Sequence, residues 1–209
     1  MSSNEIFMNI GNITGYNNIY KVAKDQGLFS KVLNINYEQY GILNMDPLDN
    51  GDISLLSIGE KFRITPLEAI SLPNTIINNG VYVKPTIIEG FVQGDKIVKS
   101  EETVQKQVIS KKTAEIMKEQ MRKVVSDVNG TGKLAAVRNN DVGGKTGTAT
   151  RQEAKETHSD GWFVGFFEYN GKYYSAVVQV PDINNTNEEG GTTAAPIFKK
   201  IVESLNYQN

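Results

Sequence analysis

The fold is decided by residues 161–180, which read GWFVGFFEYNGKYYSAVVQV. Two β-prone runs, 161–169 and 172–180, flank Asn170-Gly171, a dipeptide typical of a type I′ turn between antiparallel strands. In the first run both alternating sets of side chains are apolar, which indicates a strand covered on both faces. We therefore predict an antiparallel hairpin inside a layered fold.

A third strand and a helix complete the predicted sheet layer. The third strand, residues 143–150, reads GGKTGTAT and precedes the hairpin. The predicted helix, residues 194–205, spaces its apolar side chains at helical intervals, so it would cover the sheet. We interpret residues 141–209 as three antiparallel strands followed by a C-terminal helix.

Helices dominate the interpretation of residues 1–140. Residues 3–13 and 17–27 show helical spacing and predict a helical hairpin. Thr65-Pro66-Leu67-Glu68 predicts a helix start with a capping box, and Asn79-Gly80 predicts its end. Ser110 caps a further amphipathic helix that stops at residues 129–130. Its predicted apolar stripe consists of Ala114, Met117, Met121, Val124 and Val128.

Two segments of this half carry weaker signals. Residues 28–63 contain scattered Asn, Asp, Gly and Pro and are interpreted as loop. Residues 87–88 and 96–98 flank the turn Gln93-Gly94-Asp95 and predict a small hairpin. Helices followed by a helix-covered antiparallel sheet make an α+β fold, with all 209 residues in one domain.

Composition excludes several classes of function. A net charge of -2 provides no basic field for nucleic acid, and no apolar run approaches the ~20 residues that cross a bilayer, so we predict a soluble chain without membrane contact. The absence of cysteine excludes thiol chemistry and cysteine-based zinc sites. We expect no metal and no cofactor. The single histidine, His158, lies in a polar segment and is predicted to be solvated.

The candidate functional segment is GGKTGTAT, residues 143–150. Glycine weakens a strand, so three glycines in one strand require an explanation. Small residues let a ligand or another backbone approach closely. Lys145, Thr146 and Thr148 would then meet one bound anion, for which a carboxylate is the natural choice. The simpler alternative is that Lys145 is a solvated strand lysine.

A phosphate-binding loop is a rival interpretation of Gly144-Lys145-Thr146. That loop requires a glycine five residues before Gly144, where Asn139 stands, and a helix after the lysine. The chain continues as a strand, so we reject nucleotide binding.

Lys145-Thr146-Gly147 resembles the third signature of serine β-lactamases and penicillin-binding proteins, whose other signatures are Ser-x-x-Lys and Ser-x-Asn. Ser2-Ser3-Asn4 resembles the second signature. Further resemblance to class B penicillin-binding proteins, in the same order along the chain, lies in residues 57–70, 129–136, 162–166 and 195–198. The chain thus resembles the C-terminal portion of their transpeptidase domain, which implies a β-lactamase/transpeptidase-like fold.

This resemblance implies two-step acyl transfer from a D-Ala-D-Ala stem peptide of peptidoglycan, with β-lactams as substrate mimics, at the extracytoplasmic face of the bacterial membrane. Lys145 and Thr146 would hold the terminal carboxylate, and Lys145 would also take part in catalysis. Thr148 would offer its hydroxyl to the carboxylate and its N–H to the oxyanion hole, while Gly147 gives access.

The Ser-x-Asn signature implies that Ser2 passes a proton toward the leaving group and that Asn4 hydrogen-bonds the catalytic lysine and the substrate amide. Ser2-Ser3-Asn4-Glu5 also fits a capping box for the first helix, a purely structural alternative. Both interpretations stay open on the sequence.

Two departures from the family pattern matter. None of the twelve serines has lysine three positions later, so the Ser-x-x-Lys nucleophile motif is absent from these residues. We interpret this as truncation at the N-terminal side, expect no activity from the chain alone, and expect self-association through the exposed sheet edge. The alternative is a non-catalytic scaffold or partner-binding module. The second departure is Glu68, where many relatives carry glutamine.

Overall fold

The computed structural model describes residues 3–99, 104–153, 156–184 and 187–206. Seven α-helices lie in these ranges: α1 Asn4–Thr14, α2 Tyr16–Asp25, α3 Asn50–Ser57, α4 Pro66–Ala69, α5 Ser71–Ile77, α6 Lys111–Ser126 and α7 Ala194–Asn206. The strands there are β1 Ile42–Leu43, β2 Phe62–Arg63, β3 Val81–Val83, β4 Gly90–Gln93, β5 Lys96–Lys99, β6 Gln105–Gln107, β7 Val142–Glu153, β8 Glu156–Tyr169 and β9 Lys172–Ile183. The predicted α+β class is confirmed.

The main sheet is antiparallel with strand order β7-β8-β9. Its β8–β9 connection places Tyr169 opposite Lys172, and Asn170 and Gly171 adopt φ of 51° and 72°, as the predicted tight turn requires. Helix α7 covers the sheet through Phe198, whose ring centroid lies 4.7 Å from that of Phe163. The hairpin and its helical cover are therefore confirmed.

Strands β7 and β8 extend further than the sequence pattern indicated. In the polar segment that contains His158, residues 151–153 and 156–160 instead continue the pairing, with Arg151 opposite His158 and Thr150 opposite Ser159. The guanidinium of Arg151 binds the carboxylates of Asp160 and Asp182, the latter at 2.7 Å. His158 is not simply solvated, because its Nδ1 lies 2.8 Å from Asp182 Oδ1. Paired charges stabilise this end of the hairpin in place of apolar burial.

The N-terminal helical hairpin is confirmed as α1 and α2, but the loop interpretation of residues 28–63 is partly wrong. Helix α3 forms there, with Asp49 as its N-cap accepting a hydrogen bond from Gly51 N at 2.7 Å. Gly11 of α1 permits close packing, since a side chain there would collide with Ser57 of α3. Tertiary contact with α1 thus supports a helix whose own periodicity is poor.

The helix predicted from residue 65 is present in two pieces, α4 and α5. Both bonds of the predicted capping box form: Thr65 Oγ1 accepts from Glu68 N at 3.2 Å, and Glu68 Oε2 accepts from Thr65 N at 2.8 Å. Pro73 has no N–H to bond the turn before it, which accounts for the break near Ile70. The helix ends at Ile77, before Asn79 and Gly80 turn the chain with positive φ.

Helix α6 begins as predicted, with Ser110 Oγ accepting from Thr113 N at 3.1 Å. It ends at Ser126, so Val128 lies outside it and is exposed, whereas Val125 is buried. The small hairpin is present as β4 and β5, with its first strand at residues 90–93 rather than 87–88. Among the described residues, no helix is long and apolar enough to span a membrane.

Candidate active site

Strand β7 carries the candidate site, because it is an outer strand of the main sheet in the described part of the chain. Lys145 pairs with Val164, and Thr148 pairs with Gly161. The ammonium of Lys145 donates to the carbonyl oxygen of Thr146 at 2.8 Å. Although the residue is exposed, desolvation lowers the pKa of Lys145 below its ordinary value. The edge thus presents a partly desolvated cation, the kind of group that attracts a carboxylate.

The hydroxyls of Thr146 and Thr148 are each held from outside the strand. Thr146 Oγ1 donates to Thr131 Oγ1 at 2.7 Å, and Gly190 N donates to Thr148 Oγ1 at 3.2 Å. Thr131 precedes the 3₁₀ turn Lys133–Ala135, and Gly190 precedes α7. Two loops therefore contact β7 near Lys145 and orient the hydroxyl groups of Thr146 and Thr148.

The glycines around the site have different structural reasons. A side chain at Gly143 would collide with the ring of Phe166, and one at Gly144 would collide with the ring of Phe163. These two positions serve internal packing, not a ligand. At Gly147 an added Cβ would meet only Trp162 Cβ, at an ordinary 3.4 Å. The fold itself does not require glycine at 147, which leaves access to the strand as its reason.

Three residues that complete this geometry were not predicted from the sequence as site residues: Thr131, Gly190 and Gly191. A Cβ at Gly190 would collide with Gly147 O, and one at Gly191 would collide with Thr131 O. The only sequence signals were the paired glycines and the Thr-Gly step inside residues 129–136. Neither signal shows that these segments lie against β7.

Of the Ser-x-Asn signature, the structure describes Ser3 and Asn4, at the start of α1. Ser2 lies outside the described residues. Ser3, not Ser2, is the N-cap of α1, and its Oγ accepts from Ile6 N at 3.5 Å. Asn4 is exposed, and no hydrogen bond or ion pair of the described residues joins it to residues 145–148. Lys145, Thr146, Gly147 and Thr148 therefore lie together on β7, and Asn4 is the first residue of α1.

Comparison with known proteins gives a consistent family assignment. A family model described as the penicillin binding protein transpeptidase domain matches residues 1–203. Stage V sporulation protein D of Bacillus subtilis is 29% identical over an alignment 209 residues long, which covers 96% of this chain and 32% of that protein. Penicillin-binding protein 1A of Clostridium botulinum is 30% identical over an alignment 173 residues long, which covers 81% of this chain and 20% of the relative.

Solved structures share the same fold. Penicillin-binding protein 3 of Mycobacterium tuberculosis, complexed with aztreonam, has a TM-score of 0.85 at 24% identity, covering 99% of this chain and 49% of its own. A ceftriaxone acyl-enzyme complex of penicillin-binding protein A from M. tuberculosis has a TM-score of 0.76 at 24% identity, covering 97% and 46%. The predicted transpeptidase-like fold is confirmed. The chain spans about a third of the curated relatives and about half of these structures.

Proposed function

The chain belongs to the penicillin-binding protein transpeptidase family, and from that premise we propose that residues 1–209 form the C-terminal part of one peptidoglycan D,D-transpeptidase domain. Residues 1–140 are its mostly helical half, and residues 141–209 are three antiparallel strands with the C-terminal helix. The reaction is serine acyl transfer on D-Ala-D-Ala stem peptides, with a nucleophile from a Ser-x-x-Lys motif outside these residues. Its site of action is the extracytoplasmic face of the membrane.

The observation that carries this proposal is the arrangement on β7. Lys145 supplies a cation with a lowered pKa, and the hydroxyls of Thr146 and Thr148 lie on the same strand. The substrate carboxylate binds Lys145 and Thr146, whose hydroxyl then donates to the carboxylate and accepts from Thr131 instead of donating to it, while Thr148 contributes its hydroxyl and its backbone N–H. Gly147 leaves the strand open to an extended peptide, for which edge pairing is an established mode of recognition.

Ser2 and Asn4, the two ends of the Ser-x-Asn signature, also act in this proposal. Ser2 passes a proton toward the leaving group, and Asn4 hydrogen-bonds the catalytic lysine and the substrate amide. The free side chain of Asn4 supports its role, since it has no hydrogen-bond partner among the described residues. β-Lactams enter as substrate mimics, in keeping with the aztreonam and ceftriaxone complexes of the similar structures.

The test compares the purified chain with a version extended upstream through the nearest Ser-x-x-Lys. Both are incubated with a fluorescent penicillin and examined by denaturing electrophoresis and intact mass spectrometry. We expect covalent labelling of the extended version only. Labelling of neither would favour a non-catalytic scaffold, and labelling of the short chain would place the nucleophile inside it.

Matched lysine variants of the extended version test the site itself. Lys145→Ala removes the carboxylate-binding cation, and we expect labelling about a hundredfold slower. Lys172→Ala, on the exposed start of β9, should label at the wild-type rate. Equal rates for the two variants would contradict the role of Lys145.

A further inference from the structure

The loop of residues 34–40 presents two tyrosine side chains to solvent. Tyr37 is 95% exposed and Tyr40 is 51% exposed. Aromatic side chains contribute large contact areas when they are covered, so they are frequent at binding surfaces. Single exposed apolar residues are nevertheless common, and exposure alone assigns no function. The conformation of the loop is the second, independent observation.

The carboxylate of Glu38 holds the loop in one conformation. Its Oε1 accepts from Val32 N at 2.7 Å and Leu33 N at 2.9 Å, and its Oε2 accepts from Asn34 N at 2.7 Å and Ile35 N at 3.4 Å. Desolvation raises the pKa of Glu38, but these hydrogen bonds outweigh it and keep the pKa below its usual value. The carboxylate of Glu38 is therefore occupied by backbone hydrogen bonds of its own segment and is not available to bind a ligand.

The loop also adopts backbone conformations that side chains disfavour. Asn34 has φ of 63°, and Tyr37 has φ of 62°, both in the left-handed region. Such conformations persist where the surroundings enforce them, and they cluster at binding sites. At the far end of the loop, Gly41 N donates to the buried Glu68 Oε1 at 2.9 Å. With both ends fixed, the loop loses little conformational entropy when it binds a ligand.

The chemistry of the exposed side chains indicates the kind of ligand. The amides of Asn34 and Asn36 are exposed and have no hydrogen-bond partner among the described residues, and Gln39 Nε2 makes one long bond of 3.4 Å. Residues 34–40 thus carry two exposed phenol rings and three amides, and their one charged side chain, Glu38, is bonded to backbone N–H groups of residues 32–35. Residues 34–40 contain no lysine or arginine, so they offer no cation of their own to a polyanion or an anionic membrane.

We propose that residues 34–40 bind a neutral glycan, with Tyr37 and Tyr40 packing against the apolar C–H faces of sugar rings. Asn34, Asn36 and Gln39 donate to and accept from the sugar hydroxyl and acetamido groups, since each amide offers both functions. The choice of an N-acetylated glycan rests on the proposed function, because such strands carry the stem peptides of peptidoglycan.

To test this, the full chain is titrated with a β-1,4-linked tetrasaccharide of N-acetylglucosamine, and binding is measured by calorimetry and NMR. We expect saturable binding that Tyr37→Ala and Tyr40→Ala each weaken by about tenfold or more. Tyr37→Phe keeps the ring and should stay within about threefold of wild type. Leu48→Ala, at another exposed apolar residue, is the control and should change nothing.

Loop rigidity is tested by Glu38→Gln, which keeps both rings and replaces one acceptor oxygen by a donor. We expect weaker glycan binding with an unchanged circular dichroism spectrum. No saturable binding by the wild type, or binding that Tyr37→Ala and Tyr40→Ala leave unchanged, would overturn the proposal. A shift in sedimentation caused by both tyrosine variants, without a loss of glycan affinity, would show a protein contact and would also overturn it.

Failure of the proposed function is distinguishable from failure of this inference. Lys145→Ala should leave tetrasaccharide affinity unchanged, because β7 plays no part in the loop. Glycan binding without penicillin labelling of the extended version would leave the loop assignment standing and reject the transpeptidase proposal. Penicillin labelling of the extended version without glycan binding would support the transpeptidase proposal and reject the loop assignment.

Discussion

The hydroxyl of Thr146 donates to the hydroxyl of Thr131 at 2.7 Å, across fifteen residues of chain. This bond joins strand β7 to the segment ahead of the 3₁₀ turn Lys133–Ala135. This hydrogen bond restricts rotation of the Thr146 side chain and so fixes the position of its hydroxyl. The same contact gives the first prediction.

Thr131→Val keeps the shape of the side chain and removes the hydroxyl that holds Thr146 in place, including when the Thr146 proton is donated to a bound carboxylate. In the extended version we expect penicillin labelling about tenfold slower, equivalent to about 1.4 kcal/mol and close to the net worth of one hydrogen bond. Thr131→Ser keeps the hydroxyl and should label within about threefold of wild type. Stopped-flow labelling kinetics measure both, and a wild-type rate for Thr131→Val would contradict the positioning role.

Gly190→Ala and Gly147→Ala should separate folding from access to the site. The Cβ added at Gly190 collides with Gly147 O and Trp162 O, so we expect a loss of about 3 kcal/mol in the free energy of unfolding. The Cβ added at Gly147 makes only an ordinary contact, so stability should change by less than about 1 kcal/mol while labelling slows. Urea unfolding measures the first quantity, and equal destabilisation of the two variants would contradict the packing argument.

Glu68→Gln should destabilise the protein, although it is a nearly isosteric change. Glu68 is 1% exposed, and its two oxygens accept from Phe29 N, Gly41 N, Thr65 N and Thr65 Oγ1 at 2.8–2.9 Å. In glutamine an NH₂ group, which donates hydrogen bonds, replaces one of the two acceptor oxygens. Two of the four donors would then face this NH₂ group and lose their acceptor. We expect a loss of about 3 kcal/mol by urea unfolding, whereas Glu60→Gln, at an exposed site, should lose almost nothing.

Asp141 should make stability depend on acid pH. Its hydrogen bonds with the Arg122 guanidinium, of which the Nε bond is 2.8 Å, lower the pKa of the Asp141 carboxyl. The pKa of Asp141 in the folded protein is therefore below its value in the unfolded chain, about 3.9. Ionised Asp141 stabilises the folded protein above a pH of about 3.9, and this stabilisation is lost as the pH falls through the native pKa. Because both side chains are partly exposed, we expect only about 1 kcal/mol.

Asp141→Asn removes this contribution, so the difference from wild type should shrink as pH falls below about 4. Urea unfolding at a series of pH values gives the measurement. Asp95→Asn, in the exposed turn of the small hairpin, is the matched control and should follow the wild-type curve. A difference between Asp141→Asn and wild type that does not change with pH would show that the ion pair is not its source.

Self-association is the remaining prediction, and the structure suggests a further surface for it besides the sheet edge. Helix α1 exposes Ile6, Phe7, Ile10 and Ile13, and Phe7 and Ile10 line an apolar cavity of about 350 Å³. We expect concentration-dependent association in sedimentation velocity. Ile13→Lys, at a residue 87% exposed, should reduce association without loss of stability, whereas a monodisperse wild-type monomer would contradict the prediction.

Local signals in the sequence determined the elements whose stability is local. Asn170-Gly171 predicted the β8–β9 turn because few residues other than glycine and asparagine tolerate positive φ. The capping box of Thr65 and Glu68 formed as predicted, since its partners are three residues apart. The Lys145-Thr146-Gly147 triplet identified the candidate strand and the family, although residue pattern alone gave it no partners.

Tertiary structure alone decided the contacts between distant segments. Helix α3 depends on packing against Gly11, and the β7–β8 hairpin end depends on Arg151 pairing with two aspartates, so neither has a local periodic signal. Glu68 was predicted as a helix cap, but its hydrogen bonds to Phe29 and Gly41 required the fold to bring three segments together. Thr131 and Gly190 reach β7 for the same reason: hydrogen bonding and close packing act over a few ångströms in space, whatever the separation along the chain.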